Sequence, residues 1–373
     1  MLKPLLKRSH HLLVNTNGDI CIGEIPGKSK IITSAPAWAA AALPLFDGHH
    51  TSARIIKKIS AQGIDITDFQ LSSLIEKLVS FALLEDAGQQ STTLSAEEME
   101  RYDRQMLQFG LSDKDKLANS SIYQERLRRS RVLMLGMGGW GTWCSLNLAR
   151  LGIGTLRIVD GDAVETSNLN RQVLYTQHDL GKTKVSAAAR AIHEHNPNVS
   201  VEQFACFAEH DSELLERLLS GVDLVIVAWA SLGYFRTRTV ERLLHGLAHK
   251  ASTPVLELGG DPLQVSAGPL YLNNGTHLPF EDLRQDAQRA FYSRNPLIRS
   301  FQELRMKNDF QNGARCVNAW QSAPSLSVMG GLVADQATKV LTGHDDCNLV
   351  GRRFHLCLQT YQSRMETVFE QSR

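Results

Sequence analysis

The sequence predicts an α/β protein in which a doubly wound, mostly parallel sheet follows a small N-terminal α+β domain. Three observations predict it. From Arg131 onward, short apolar runs alternate with helical stretches. A G-x-G-x-x-G loop joins the first of these runs to a helix. A small, polar and charged stretch, AGQQSTTLSAEE at 87–98, separates this pattern from the differently patterned segment before it.

In the N-terminal segment, His11 to Val14 and Ile20 to Ile25 flank the turn Asn17-Gly18 and read as a hairpin, with Lys30 to Thr33 as a third strand. Asp47-Gly48 ends an apolar stretch, and Ile55, Ile56 and Ile59 mark a helix. Thr67 is placed to cap another, in which Leu71, Leu74, Ile75, Leu78 and Val79 recur at i, i+3, i+4, i+7 and i+8. Further on, RVLMLG, TLRIVD, VSVEQF and DLVIVAW read as strands, with helices expected through Ser145 to Leu151 and around Lys184 to His195. Such buried runs between helices imply a parallel sheet covered on both faces.

The 373 residues exceed what one core usually serves, which favours two domains. A hydrophobic content of 43% with 21% charged residues is that of an ordinary globular protein. No apolar run reaches the ~18 residues a membrane span needs. A net charge of +1 gives no global attraction for nucleic acid or anionic lipid, so any anion needs a local site. The opening MLKPLLKRSHHLLVN lacks the uninterrupted apolar stretch and cleavage site of a signal peptide, and a cytoplasmic location is expected. The six cysteines include no C-x-x-C pair, so structural zinc is not expected.

Gly136, Gly138, Gly139 and Gly141 stand in the G-x-G-x-x-G run (Gly138-Gly139 adjoining) directly after the strand Val132 to Leu135. Glycines there allow a tight turn and close approach of a phosphate to the N-terminus of the following helix. Asp160 ends the second strand, where a carboxylate can accept ribose hydroxyls. The same fingerprint serves dinucleotide-dependent oxidoreductases, and the residues beyond it separate the two readings. Asp162, Asn168, Arg171, Gln172 and Lys184 mix carboxylate, amide, guanidinium and ammonium groups. That mixture suits polyphosphate chemistry, in which cations stabilise departing pyrophosphate, whereas hydride transfer needs no such clamp.

RYDRQ at 101–105, GMGGWG, VDGDAVETSNLNRQ and GKTK, in this order, resemble the ThiF, MoeB and E1-like adenylating superfamily, as do GPLYL at 268–272 and SLSVMGGLVADQATKVLTG. Residues 43–86 resemble the small winged-helix domains that hold leader peptides in ribosomal peptide biosynthesis, which points to the peptide-modifying branch of the superfamily. The resemblance implies that the glycine loop, Asp160 and Asp162 hold ATP, with Asn168, Arg171 and Lys184 on its phosphates and Gln172 in support. It also implies that Arg104 reaches a partner's triphosphate across a homodimer interface, and that Mg²⁺ accompanies ATP.

The expected layout is a leader-recognition domain at 1–88, a linker and RYDRQ arm at 89–120, and an adenylation domain at 121–373. The expected reaction is adenylation of a carboxylate on a ribosomally made precursor peptide, followed by capture within that peptide. Two alternatives stay open: activation of a small carrier protein's C-terminus, and a non-catalytic scaffold that binds leader peptide. Two departures from the superfamily pattern bear on these. The zinc-binding C-x-x-C pairs are missing, since NNGTHLPFEDL follows GPLYL. After DLVIV the chain reads Ala228-Trp229-Ala230-Ser231, where the family usually has an aspartate associated with magnesium, leaving Asp162 or Asp261 as candidate acids.

Overall fold

The computed structural model describes residues 2–23, 25–208, 211–229, 239–261, 263–283 and 321–370, together with Leu297 and Ser300. The chain divides into two compact units: Met1–Leu127 with Thr342–Asp346, and Arg128–Leu341 with Cys347–Arg373. Residues 89–120 fall within the first of these.

The first unit is a small α+β structure. β1 (Pro4–Leu6) is followed by β2 (Leu12–Val14), β3 (Ile20–Ile22) and β4 (Lys30–Ile32), which form an antiparallel sheet in that order. Three helices come next, α1 (Ala37–Ala42), α2 (Ser52–Ser60) and α3 (Asp68–Ser80), and then β5 (Leu84–Asp86) returns to pair with β1. α3 starts where Thr67 and Gln70 form a reciprocal capping box, which satisfies two orphan backbone donors. Its Leu71, Leu74, Ile75 and Leu78 are buried against Ile55 and Ile59 of α2 and Ile20 and Ile22 of β3, each contributing about 1.5–3 kcal/mol by leaving water. α4 (Ala96–Arg101), α5 (Asp103–Ser112) and α6 (Ser121–Arg129) follow.

The second unit is built on one eight-stranded sheet. Its strands are β6 (Arg131–Leu135), β7 (Thr155–Val159), β8 (Ser200–Phe204), β9 (Leu224–Val227), β10 (Val255–Asp261), β11 (Gln264–Tyr271), β12 (Arg352–Cys357) and β13 (Ser363–Thr367). Their spatial order is β13-β12-β11-β10-β9-β6-β7-β8. The run β10-β9-β6-β7-β8 is parallel and the remaining pairs are antiparallel. α7 (Gly139–Leu151), α8 (Lys184–His195), α9 (Ser212–Leu219), α10 (Thr239–Lys250) and α11 (Ala323–Thr342) accompany it.

β6 and β9 are neighbours, yet the chain leaves β6 toward β7 and β8 on one side before returning to β9 on the other. This reversal makes the carboxyl ends of β6 and β9 a topological switch point, where open α/β sheets bind ligands. The central parallel strands β6, β7 and β9 are buried almost along their lengths, as their continuous apolar runs predict, whereas the edge strand β8 is more open. Among the described residues, no helix is long and apolar enough to cross a membrane.

Candidate nucleotide cleft and peptide groove

A cleft of about 350 Å³ opens at the carboxyl ends of β6, β7, β8 and β9. Its floor is the glycine loop. Gly136 adopts φ +97°, and a Cβ there would stand 2.7 Å from the backbone nitrogen of Trp229. Gly141 lets α7 close on the loop, because its Cβ would meet the Gly136 carbonyl oxygen at 1.9 Å. Gly138 is different: its nearest neighbour would be Gln172 Nε2 at 3.9 Å, so its face stays open to the cleft. Gly138 also caps α7 without a side-chain hydrogen bond, so the helix dipole and first N–H groups face the site without a protein acceptor from the cap.

Asp160 follows β7 and is fixed by two backbone donors, Met137 N–H to Oδ2 at 2.7 Å and Asp162 N–H to Oδ1 at 2.9 Å. Burial raises its pKa from the ordinary carboxylate value, opposed by the Lys184 ammonium and by those two N–H groups. A carboxylate offers about four acceptor positions, so two remain for hydroxyl groups of a ligand.

Lys184 opens α8, whose N-cap is Thr183. The backbone N–H of Lys184 donates to the Asp162 carbonyl at 2.9 Å, which ties the helix start to the acidic loop. Its ammonium lies 2.6 Å from Asp162 Oδ2 and 3.8 Å from Asp160 Oδ1. The Asp162 side chain is 54% exposed, while that of Lys184 is 8% exposed.

Arg171 and Gln172 reach the cleft from a short 3-10 turn. Asn168 organises that turn: its Oδ1 accepts from Glu165 N–H at 3.0 Å, and its carbonyl accepts from the N–H groups of Arg171 and Gln172. Asn168 is buried and does not line the cleft, so its side chain shapes the turn. The Trp143 indole donates to the Arg171 carbonyl at 3.0 Å and anchors the turn to α7.

Three buried polar atoms of the cleft lining find no hydrogen-bond partner among the described residues: Arg171 Nε, Gln172 Oε1 and Trp229 Nε1. An unsatisfied buried polar group costs about 1–3 kcal/mol, so three of them in one cleft are the mark of a site shaped for a polar ligand. Phe207, 62% exposed, adds an aromatic wall beside Gly161, where a Cβ would meet its ring at 2.5 Å.

The structure thus brings Gly136, Gly138, Gly139, Asp160, Asp162, Arg171, Gln172 and Lys184 to one cleft, with Gly141 packed directly behind it. Arg104 lies in the first unit, with its side chain 91% exposed and 3.6 Å from Asp103. Ala230 and Ser231, where the family aspartate was sought, lie outside the described residues, as does the side chain of Asp261. Among the described residues no group of three or more His, Cys, Asp and Glu is placed to hold a metal. Asp160 and Asp162 are the acids of the cleft lining. Asp162 is the more open, and with ligand oxygens it fits the one or two carboxylate contacts Mg²⁺ takes beside phosphates.

Trp229, Phe207 and Gln321 were not singled out from the sequence as site residues. Trp229 had a usable signal, since it stands two residues after a strand that ends at the switch point. Gln321 had none, because it lies far along the chain, just before α11.

A second concavity, of about 560 Å³, lies within the first unit between β4 and α3. Among the described residues, β4 is an edge strand that pairs only with β3. Ile31, Phe69 and Phe81, all in the lining, are 69%, 82% and 41% exposed. Contiguous exposed apolar side chains of this kind mark an interaction surface.

Residues 102–372 match the family described as ThiF family, and residues 9–68 match the PaaA-like N-terminal domain. The chain is 31% identical to the Escherichia coli molybdopterin-synthase adenylyltransferase over 251 residues, 67% of this chain and 85% of that protein. It is 30% identical to the Emericella nidulans adenylyltransferase and sulfurtransferase uba4 over 255 residues, 67% of this chain but only 45% of that longer protein. The crystal structure of PaaA superposes with a TM-score of 0.75 at 45% identity, covering 98% of this chain and all of that one. The E. coli MccB structure with ATP superposes at 0.69 and 20% identity, covering 98% and 96%, and so shares the fold. With the family match spanning more than half of its residues, the chain belongs to the ThiF family.

Proposed function

We propose that this protein uses ATP to adenylate a carboxylate on a ribosomally made precursor peptide, whose leader is held by residues 1–88, and that the activated carboxylate is captured within the peptide. The observation that carries the reading is the set of three buried polar atoms, without partners among the described residues, beside Lys184 and the open Gly138 face, in a cleft at the switch point.

In this reading Asp160 accepts the ribose hydroxyls, and the N-terminus of α7 receives phosphate oxygens. Arg171 and Lys184 stabilise charge on pyrophosphate as the peptide carboxylate attacks the α-phosphorus and the bond to the β-phosphate oxygen breaks. Lys184 is held by Asp162 within reach of both acids, so its charge is pre-oriented. Asp162 would hold Mg²⁺, which when bound supplies charge neutralisation at the phosphates. Arg104, too exposed to serve its own unit's core, is suited to reach a second copy's cleft, and we propose a homodimer on that basis. A cytoplasmic location accords with a reaction that consumes ATP.

The likeness to a molybdopterin-synthase adenylyltransferase supports a second reading, activation of a small carrier protein's C-terminus. The PaaA-like N-terminal match and the groove beside β4 favour the peptide. The test is incubation of the full chain with ATP, Mg²⁺ and the peptide encoded beside its gene, with AMP, pyrophosphate and ADP assayed separately. Peptide-dependent AMP and pyrophosphate support the proposal. Peptide binding without nucleotide turnover means a scaffold, and ADP means a different reaction.

A further inference from the structure

The groove between β4 and α3 has a chemistry that specifies more than a peptide. Its lining combines apolar surface from Ile32, Trp38, Phe69 and Phe81 with two cations, Lys30 and Lys77, and among the described residues it contains no acid. The two acids of α3, Asp68 and Glu76, are absent from the lining. Lys77 stands one turn before Phe81, and the Lys30 ammonium lies 4.8 Å from the Phe81 ring centroid. Both lysines therefore belong to the same end of the groove, where α3 finishes. Neither is ion-paired among the described residues.

A β4 edge with unpaired backbone groups accepts an extended chain as an added strand, whose alternate side chains then face α3. Those side chains meet the apolar surface first and the two ammonium groups at the end. From this geometry we infer that the occupant is an extended peptide segment with alternating apolar residues flanked on one side by acidic residues, which pair with Lys30 and Lys77. The inference rests on the leader-binding reading above and adds the partner's sequence chemistry. Charge complementarity at such a rim sets selectivity and register more than total affinity, while the apolar anchors supply most of the binding.

The test is selection of a displayed random-peptide library against the full chain and against a Lys30→Glu/Lys77→Glu double variant. Enriched peptides are then resynthesised and titrated by fluorescence anisotropy. The native protein is expected to enrich alternating apolar peptides with Asp or Glu at one flank. Exchanging those acids for Lys should weaken binding by about tenfold, the scale of a lost ion pair beside an apolar groove, and the double variant should invert the preference. Phe69→Asp should abolish binding of either peptide class, and a Lys30→Arg/Lys77→Arg variant, which keeps the charge, should retain the acidic preference. Peptides that bind in a Phe69-dependent way without any charge bias would overturn this inference and leave leader binding standing. Failure of every peptide to bind a folded protein, or binding unaffected by Phe69→Asp, would overturn the groove itself as the peptide site.

Discussion

The cleft at the ends of β6–β9 and the groove beside β4 are both concave, but they are built on opposite terms. The cleft leaves Arg171 Nε, Gln172 Oε1 and Trp229 Nε1 buried without partners among the described residues and holds Lys184 against two carboxylates. The groove leaves Ile31, Phe69 and Phe81 in water and carries its charges at the rim. Unsatisfied polar atoms reward a ligand with fixed geometry, whereas an apolar trough beside a free strand edge tolerates many side chains in one backbone path. Under the proposed function, the contrast places chemistry in the second unit and recognition in the first.

Substitutions that separate the two sites test this contrast most severely. Arg171→Ala or Lys184→Ala should lower the rate of AMP formation by about 100- to 1,000-fold, the scale of a lost electrostatic contact to developing charge, while peptide affinity measured by anisotropy stays unchanged. If peptide binding falls in parallel, the two sites are not independent. Gly141→Ala forces a Cβ into the Gly136 carbonyl and should destabilise the second unit by about 3 kcal/mol, read as an earlier denaturant midpoint. Gly138→Ala, whose Cβ meets nothing closer than 3.9 Å, should leave the midpoint in place and weaken nucleotide binding instead.

How much of this was legible follows the same division. The glycine loop, Asp160 and the Arg171 to Lys184 cluster were readable because each is a local sequence with a local conformation that the sheet topology then gathers. Thr67 and the apolar face of α3 were readable for the same reason, since capping and helical period are short-range. The pairing of Pro4–Leu6 with Leu84–Asp86 was not, because each strand is three residues long and its partner lies beyond three intervening helices. Nor was the antiparallel pairing of β11 with β12, whose register joins residues about 90 positions apart, Gln264 with Cys357. Asn168, expected on phosphate, holds with its Oδ1 the turn that carries Arg171, a contact that only the hydrogen bonds reveal.

Two smaller effects sharpen the comparison. Thr67→Ala removes the capping box of α3 and should cost about 1 kcal/mol, confined to the first unit. Nucleotide affinity should respond to acid through Asp160. Burial raises this carboxyl's pKa, so its ionised form is lost at a higher pH than for an exposed aspartate. ATP binding by the cleft should accordingly weaken as pH falls toward the raised value, with a midpoint above the ordinary aspartate range, whereas apolar binding in the groove should not follow that titration. Isothermal titration across a pH series checks both.

In the proposed reaction the peptide's carboxylate attacks the α-phosphorus of ATP. The most direct measurement is to supply the precursor peptide with ¹⁸O in its carboxylates and examine AMP by mass spectrometry after turnover. The account predicts AMP that carries one ¹⁸O atom transferred from the peptide. Label confined to inorganic phosphate, with ADP as the nucleotide product, would contradict it.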